Sequence, residues 1–442
     1  MDKSRSITGN LYSMQGEAVA PGTPISKMLD VMGMSHQTSA VLDRWHEEEP
    51  DKLVVMTECC SCETQRGEDA DLMARAGPAV YNSNENSACL VGQDGVPVSN
   101  SVEWVGGTFV WTLHDYLGEP SQNPRGAFWP HVSSSFGSYD LSGFAKAPVW
   151  WYRSWWLAAI PPTDAGRPPL PVATTGIFCR LVESWQPSPR GVSGRNLTVY
   201  TNAAGARIRV NGESSGVWGE SVSVAPFAAA RFTAVPFSPG NVTAECLDGT
   251  RSAVLASHTK HSWGEAAAIE LTLDAPSMLT GTGDGVYMDG QDVALVRATV
   301  VDAHGVPVHD STANVTFRVS GGPARLVGVG NGDPANQDPN HAEWKPAYHG
   351  LVRAIFRVTL LAAGTASERA LVAAINVDAG AGPGSSRVHQ SASGAAIPGS
   401  FTVSATAAGL PGAHLVVPLS TRPEDAPLNV AAASVALADI GE

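Results

Sequence analysis

The segment Val54–Gly67, with the sequence VVMTECCSCETQRG, constrains the fold more than any other part of this chain. Its first residues, Val54 to Met56, form a short apolar run, which is typical of a parallel strand buried on both faces. Glu58 comes where that strand would end, and Arg66 follows eight residues later. Because α/β barrels place their reactive side chains at the carboxyl ends of their strands, Glu58 is a candidate catalytic residue. The alternative is a solvated loop acid, since short motifs often match by chance.

The first part of the chain alternates short apolar runs with helical patterns. Strands are predicted at Ile7–Tyr12, Leu29–Met34, around Val54 and at Phe109–Leu113, with a short helix or turn at Ile25–Leu29 and a helix at Thr38–Glu48. Strands that alternate with helices indicate a parallel sheet or barrel. Four strands cannot close an eight-stranded barrel, so the pattern predicts either an open sheet or a barrel whose front half is missing.

The remainder of the chain is predicted to be all-β. A proline-rich linker covers residues 161–175, and short alternating runs with an Asn211-Gly212 turn signal predict a β-sandwich over residues 176–275. A second sandwich is predicted over residues 276–420, with a loose Ala/Gly/Ser-rich insertion near 363–398 and a tail over 421–442.

Composition narrows the class of partner. The formal net charge of −14 disfavours nucleic acid and anionic membranes, whereas a neutral carbohydrate substrate fits an acidic surface. The twelve tryptophans agree with a sugar ligand, because indole rings stack on sugar faces, although a core role is the alternative. The sequence contains no run of eighteen apolar residues, so no membrane span is predicted. The first residues lack the apolar core of a secretory signal. The localisation therefore stays open.

The cysteines and the other short motifs predict no cofactor. The six cysteines are unevenly spaced and do not indicate a disulfide framework. Cys59, Cys60 and Cys62 resemble half of a zinc site, but no second pair follows, so we predict no metal. An esterase-like pattern around Ser214 lies on a predicted hairpin and is rejected. The acidic loop Asp333–Asn340 lacks EF-hand spacing and is interpreted as solvated.

Two segments carry residues suited to glycoside hydrolysis. That reaction needs two carboxyl groups, which lie about 5 Å apart in a retaining enzyme, and Glu58 is the candidate nucleophile. A cation such as Arg66 would lower the pKa of a neighbouring carboxylate, and a surface ion pair is the alternative. Trp111, Asp115, Tyr116 and Glu119 lie together in FVWTLHDYLGEP and are candidates for a sugar cradle. A packed tryptophan beside a structural aspartate turn is the alternative there.

Several longer motifs resemble glycoside hydrolase family 2. TECCSCETQRG resembles the nucleophile segment of a branch of this family, with Glu followed by Arg-Gly eight residues later. GGTFVWTLHDYLGEP and SSSFGSYDLSGFAKAPVWWYRSWW resemble its last barrel strand and the loop that follows, while SRSITGN and LDVMGM resemble its fifth and sixth strands. VYTNAAGARIRVNGESSG, AVPFSPG, DGQDVALVRATVVDAHGVPV and GVGNGDP resemble its C-terminal sandwiches.

The resemblance implies a fold, an activity and roles for individual residues. The expected fold is multidomain, with the C-terminal half of a (β/α)8 TIM barrel over residues 1–160 followed by two immunoglobulin-like β-sandwich domains. Members of this branch are mostly β-galactosidases, with β-glucuronidases on the same plan. Glu58 would be the nucleophile and Trp111 the sugar platform, while the residues expected to support or line the site are Arg66, Asp115, Glu119, Ser35 and His36. The family usually has Asn-Tyr where this chain has Ser35-His36.

The resemblance implies that the acid/base is a glutamate at the end of the fourth barrel strand, ahead of SRSITGN, and that residue is expected to be missing from this chain. Asn84-Glu85 is an Asn-Glu pair between the seventh and eighth strands, where the geometry is unsuitable. We therefore expect a truncated β-galactosidase-like portion that is inactive alone. A β-glucuronidase-like member and a non-catalytic carbohydrate-binding scaffold are the alternatives, with a homo-oligomer as an option for the full-length form.

Overall fold

The computed structural model describes residues 5–12, 21–35, 39–59, 65–66, 105–120, 129–156, 176–187, 194–213, 219–224, 229–274, 285–359 and 399–420. The chain forms two compact units. The first comprises Met1–Pro169, Ala173–Ser262 and Asp333–Gln337, and the remaining residues form the second. The predicted linker, insertion and tail lie outside the described residues and stay predictions.

The first unit begins with a four-stranded parallel sheet whose strands are neighbours in chain order. They are β1 (Thr8–Tyr12), β2 (Val31–Ser35), β3 (Leu53–Cys59) and β4 (Val105–Val110). The sheet buries Met32, Met34, Val54 and Met56, which lie in the predicted strands, together with Val105. Burial of these side chains is the main force that holds the strands together.

Two helices connect the first three strands. Helix α1 (Pro24–Met28) begins at an N-cap, where the Thr23 hydroxyl accepts a hydrogen bond from the amide of Ser26. Helix α2 (Ser39–Glu48) buries Leu42 and Trp45. An Arg44–Glu48 ion pair lies on its exposed side. This amphipathic division is the one that predicted the helix.

The predicted position of the fourth strand was wrong. Phe109–Leu113 was expected, whereas β4 ends at Val110, and the side chains of Phe109 and Leu113 are 66% and 47% exposed. Register decides the outcome, because Val105 pairs with Val54 and Val110 with Cys59 on the neighbouring strand. An apolar run locates a strand only where a neighbour offers it backbone partners.

Helix α3 (Ala147–Trp156) follows the sheet and is buried along its length at Val149, Trp150, Trp151 and Tyr152. Trp150 stacks on Phe178, and the Arg180 guanidinium lies 4.1 Å from the centre of the Trp150 ring. Among the tryptophans whose side chains the structure describes, Trp45, Trp150, Trp151 and Trp185 are buried, which gives these four a core role. The exposed ones are Trp111, Trp129 and Trp344.

Two antiparallel sheets complete the first unit and share one apolar core. One sheet contains β5 (Cys179–Leu181), β6 (Gly194–Thr201) and β9 (Ala230–Pro236). The other contains β7 (Gly205–Val210), β8 (Val222–Ser223), β10 (Asn241–Leu247) and β11 (Val254–His261). The predicted turn after β7 is present, since Asn211 and Gly212 have φ values of 51° and 82° and the backbones of Val210 and Glu213 exchange two hydrogen bonds.

A disulfide joins the two sheets of this sandwich. Cys179 on β5 and Cys246 on β10 are bonded, 67 residues apart in sequence, and both are buried. The expectation from cysteine spacing was therefore wrong for this pair. A disulfide between facing strands produces no regular spacing of cysteines along the sequence, so the spacing does not predict it.

The second unit is another sandwich of two four-stranded sheets. The first sheet contains β12 (Ala266–Leu273), β13 (Val293–Asp302), β17 (Leu351–Val358) and β15 (Ala324–Gly330). The second contains β16 (Trp344–Pro346), β14 (Asn314–Ser320), β18 (Ser400–Thr406) and β19 (Ala413–Pro418).

Strand β12 was predicted to belong to the preceding sandwich and is placed differently in the structure. It pairs antiparallel with β13, and Ile269 contributes to the same core as Val296 and Phe356. The sequence of β12 contains no information about which neighbouring strand it pairs with, because pairing depends on tertiary contacts.

Among the described residues, no helix combines the length and apolar character needed to cross a bilayer.

Candidate active site

Glu58 lies at the carboxyl end of β3, beside the carboxyl ends of the neighbouring strands of the parallel sheet. Ser35 at the end of β2 is its register partner, and Ser35 in turn pairs with Tyr12 at the end of β1. Cys59 pairs with Val110, the last residue of β4. The parallel register therefore brings the four strand ends together at Glu58.

Asn10 on β1 contacts the Glu58 carboxylate directly. Its side-chain amide donates to Glu58 Oε2 at 3.0 Å, and its carbonyl oxygen accepts from the hydroxyl of Thr57 at 2.8 Å. The Thr57 hydroxyl also lies 3.2 Å from the carbonyl oxygen of Met34. The hydrogen bond from Asn10 orients the Glu58 carboxylate, and an oriented carboxylate suits the role of a nucleophile.

Gly33 allows Asn10 and Thr57 to meet across the intervening strand. Asn10 and Val55 are the register partners of Gly33 on either side of β2. A Cβ at Gly33 would lie 2.1 Å from the carbonyl oxygen of Gly9 and 2.7 Å from Thr57 Cγ2. Glycine is therefore the residue that this position accepts, because close approach of the two outer strands excludes any side chain.

Trp111 follows β4 and contacts Tyr116. The two rings meet edge to face with centroids 5.9 Å apart, and the Trp111 indole is 38% exposed. The hydroxyl of Tyr116 donates to the carboxylate of Glu119. Tyr116 thus fixes both an exposed aromatic face and an exposed acid.

The pKa of Tyr116 is raised to about 12, first by burial, then by its hydrogen bond to Glu119, and further by the charges of Glu119 and Glu58. The phenol therefore stays protonated and keeps its donor at neutral pH. Trp111 directly follows Val110, and Val110 pairs with Cys59, the residue after Glu58. We therefore treat Trp111, Tyr116 and Glu58 as one candidate site.

Asp115 was predicted to shape a sugar subsite, and its contacts favour a structural role instead. Both of its carboxylate oxygens lie 3.0 Å from Lys146 Nζ, and Oδ1 accepts from the Gly137 amide at 2.7 Å. The Lys146 side chain is fully buried and also donates to the carbonyl oxygen of Ser135. Burial raises the pKa of Asp115 to about 6, against the opposing effect of Lys146.

Arg66 was expected to hold Glu58 ionised, and the structure gives it a buried partner of its own. Its Nε lies 2.7 Å from Asp140, and its guanidinium lies 4.7 Å from the centre of the Phe144 ring. Asp140 also accepts from the backbone amides of Ser142 and Phe144. These contacts favour a role in fixing the loop before α3.

The remaining expected residues divide into two groups. Ser35 is buried at the strand ends, and Glu119 is exposed beside Tyr116. His36 and the pair Asn84-Glu85 lie outside the described residues, so their roles stay predictions. Within the part of the chain that the structure describes, no group of three His, Cys, Asp or Glu residues is arranged to hold a metal ion.

Three residues of the site were not found from the sequence in these roles. Asn10 is a polar residue inside a short strand, which is a weak signal that sequence inspection could have weighed. Tyr116 was noted only as part of a sugar cradle, and Lys146 carried no signal, because its partner Asp115 is 31 residues away.

Comparisons with known proteins identify relatives of this chain. The family model for glycoside hydrolase family 2 C-terminal domain 5 matches residues 278–370. β-Galactosidase BoGH2A of Bacteroides ovatus is 29% identical over 272 residues, which cover 61% of this chain and 26% of the relative. A β-glucuronidase of Formosa agariphila is 28% identical over 247 residues, covering 48% of this chain and 24% of that protein. The chain spans about a quarter of the length of these curated relatives.

Solved structures share the fold. A β-glycosidase from Bacteroides vulgatus superposes with a TM-score of 0.62 at 18% identity, over 88% of this chain and 45% of that one. A glycosyl hydrolase family 2 member from Bacteroides cellulosilyticus gives a TM-score of 0.58 at 19% identity, over 95% of this chain and 45% of that one. This chain is therefore similar in sequence and in fold to proteins of glycoside hydrolase family 2.

Proposed function

We propose that Glu58 is the nucleophile of a retaining β-glycosidase and that residues 1–160 contribute one half of its (β/α)8 barrel. The position of Glu58 carries this proposal. The carboxylate lies at the carboxyl edge of a parallel sheet, accepts from Asn10, and shares that edge with Trp111 and Tyr116. Reactive groups of barrel enzymes occupy this edge.

The geometry supports a double-displacement mechanism. Glu58 Oε attacks the anomeric carbon as the bond from that carbon to the leaving oxygen breaks, which forms a covalent glycosyl-enzyme. Water then attacks the same carbon, loses a proton to a general base, and restores the carboxylate. Asn10 orients Glu58 by its hydrogen bond to Oε2, and Trp111 offers an apolar face for the sugar.

The proposed substrate is a terminal β-linked galactoside. The relative that covers more of this chain is named a β-galactosidase, and the other is named a β-glucuronidase. A formal net charge of −14 favours the neutral sugar over the anionic one, because an acidic protein repels a uronate at long range. A β-glucuronide is the second candidate substrate.

The proton donor is proposed to lie outside this chain, in agreement with the family resemblance. The 442-residue chain is then expected to leave 4-nitrophenyl β-galactoside intact. Dinitrophenyl glycosides need no proton donor, because dinitrophenolate is a good leaving group. Dinitrophenyl glycosides therefore test the role of Glu58 as the nucleophile independently of the proton donor.

The experiment compares the wild-type chain with Glu58→Ala in dinitrophenyl β-galactoside and azide. In Glu58→Ala the azide takes the place of the carboxylate, attacks the anomeric carbon from the same side and expels dinitrophenolate, which gives the α-glycosyl azide. Formation of that product, detected by NMR, supports Glu58 as the nucleophile. Unchanged turnover in Glu58→Ala, or a β-configured azide from it, contradicts the assignment. Binding of galactose without turnover in any variant would instead favour the carbohydrate-binding scaffold.

A further inference from the structure

The short segment Asp333–Gln337, here called the anchoring segment, belongs to the first compact unit although the residues on both sides of it belong to the second. Its contacts explain this assignment. The carbonyl oxygen of Pro334 accepts from the Val132 amide at 2.8 Å, and Gln337 Nε2 donates to the carbonyl oxygen of Pro130 at 3.1 Å. The anchoring segment therefore holds the backbone of residues 130–132.

The anchoring segment is itself well fixed. Asp333 Oδ1 accepts from the Ala335 amide at 2.9 Å, and the Asn336 amide donates to the Asp333 carbonyl oxygen at 3.1 Å. The ring of Pro334 restricts its own φ angle. Such a segment loses little conformational entropy when it binds a neighbouring strand, so its contacts retain most of their strength.

Residues 130–132 connect the anchoring segment to the candidate site. The carbonyl oxygen of Val132 accepts from the Gly118 amide at 2.8 Å, while its amide donates to Pro334 on the other side. Two residues further along, the Ser134 amide donates to the carbonyl oxygen of Tyr116, and the Tyr116 amide donates to the Ser134 hydroxyl. A continuous backbone ladder thus runs from Pro334 to Tyr116.

We propose that the anchoring segment is a positioning element that fixes Tyr116, and through it Trp111 and Glu119, at the rim of the site. Its catalytic consequence rests on the proposed glycosidase function. Tyr116 contacts both Trp111 and Glu119, so a shift of its backbone moves the aromatic platform and the acid together. A displacement of about 1 Å at a binding group is enough to lower the rate substantially.

The test uses Gln337→Ala, Gln337→Lys, which restores a donor, and the double variant Pro334→Gly/Gln337→Ala, which also loosens the backbone. Gln291→Ala is the matched control, because Gln291 is an exposed glutamine in the second unit. Hydrogen exchange by mass spectrometry reports the amides of residues 116–118 and 130–134. Exchange there is expected to rise roughly threefold to tenfold in Gln337→Ala, further in the double variant, and to return towards wild type in Gln337→Lys.

Release of dinitrophenolate from dinitrophenyl β-galactoside gives the second readout. We expect a higher KM in Gln337→Ala with a smaller change in kcat, and recovery in Gln337→Lys. Unchanged exchange at residues 116–118 overturns the proposal, and so does raised exchange with unaltered kinetics. If the wild-type chain releases no dinitrophenolate, the proposed function has failed, and hydrogen exchange alone decides whether the segment holds Tyr116.

Discussion

At the residue scale, the candidate site depends on polar partners of Glu58 that come from different strands. Asn10 and Thr57 form a small network around the carboxylate. The two acids predicted to lie near it differ in environment. Asp115 is paired with buried Lys146, whereas Glu119 is exposed and accepts from Tyr116. The environment of each acid, rather than its residue type, separates candidate function from structural support.

Replacement of Asn10 by alanine is expected to lower the rate of dinitrophenolate release from dinitrophenyl β-galactoside by about tenfold. A hydrogen bond to a charged group is worth about 1.5 kcal/mol, and its loss leaves the carboxylate less well oriented. Asn340→Ala is the control, because Asn340 is exposed in the second unit. Equal rates for the two variants would show that Asn10 does not support Glu58.

The raised pKa of Asp115 predicts that the free energy of unfolding depends on pH, because burial moves this pKa from 3.8 to about 6. Between these values the folded protein binds more protons than the unfolded chain, so the free energy of unfolding falls as the pH rises through this window. Urea unfolding from pH 4 to pH 6 should show this loss in the wild type and a smaller loss in Asp115→Asn. If the wild type instead gains stability relative to Asp115→Asn across this window, attraction to Lys146 outweighs burial.

At the element scale, close approach of strands and covalent cross-links determine which parts of the fold are rigid. Strand β2 brings β1 and β3 near enough for Asn10 to reach Thr57 and Glu58, because Gly33 has no side chain. In the first sandwich the Cys179–Cys246 bond fixes β5 against β10. Each feature can be tested by a single change.

Gly33→Ala is expected to destabilise the parallel sheet by about 2 kcal/mol or more and to reduce the activity that depends on Glu58. The added methyl group would meet backbone at 2.1 Å, which forces the strands apart. Gly9→Ala is a matched control on the adjacent strand, since a Cβ there has contacts of 3.6 Å or longer. Thermal unfolding that ranks the two variants equally would contradict the role of Gly33.

Loss of the disulfide in Cys179→Ala/Cys246→Ala is expected to destabilise the first sandwich by about 4 kcal/mol, from the loop-closure entropy of a long loop. Urea unfolding should show an earlier first transition in this variant, and a reducing agent should shift the wild type in the same direction. The reducing agent should leave the double variant unchanged. An additional shift in that variant would mean that another bond is responsible.

At the scale of the whole molecule, the sequence predicted the first three strands of the parallel sheet and the strand end at which Glu58 lies. An apolar run followed by a carboxylate is a local sequence pattern, and such a pattern predicts a strand and its end without knowledge of distant residues. The partner of Glu58 could not be predicted, because Asn10 is 48 residues away and depends on Gly33 between them. The same limit applies to Lys146 beside Asp115, to the Cys179–Cys246 bond and to the placement of β12, all of which depend on pairing rather than on periodicity.

The central claim is that the Glu58 carboxylate attacks the anomeric carbon. Incubation of the 442-residue chain with 2,4-dinitrophenyl 2-deoxy-2-fluoro-β-galactoside should form a stable covalent adduct, because the fluorine slows the second step and the leaving group needs no proton donor. Peptide mapping by mass spectrometry is predicted to place one fluorogalactosyl group on Glu58, and none in Glu58→Gln. A label on another residue, or an unlabelled wild-type chain, would contradict the account.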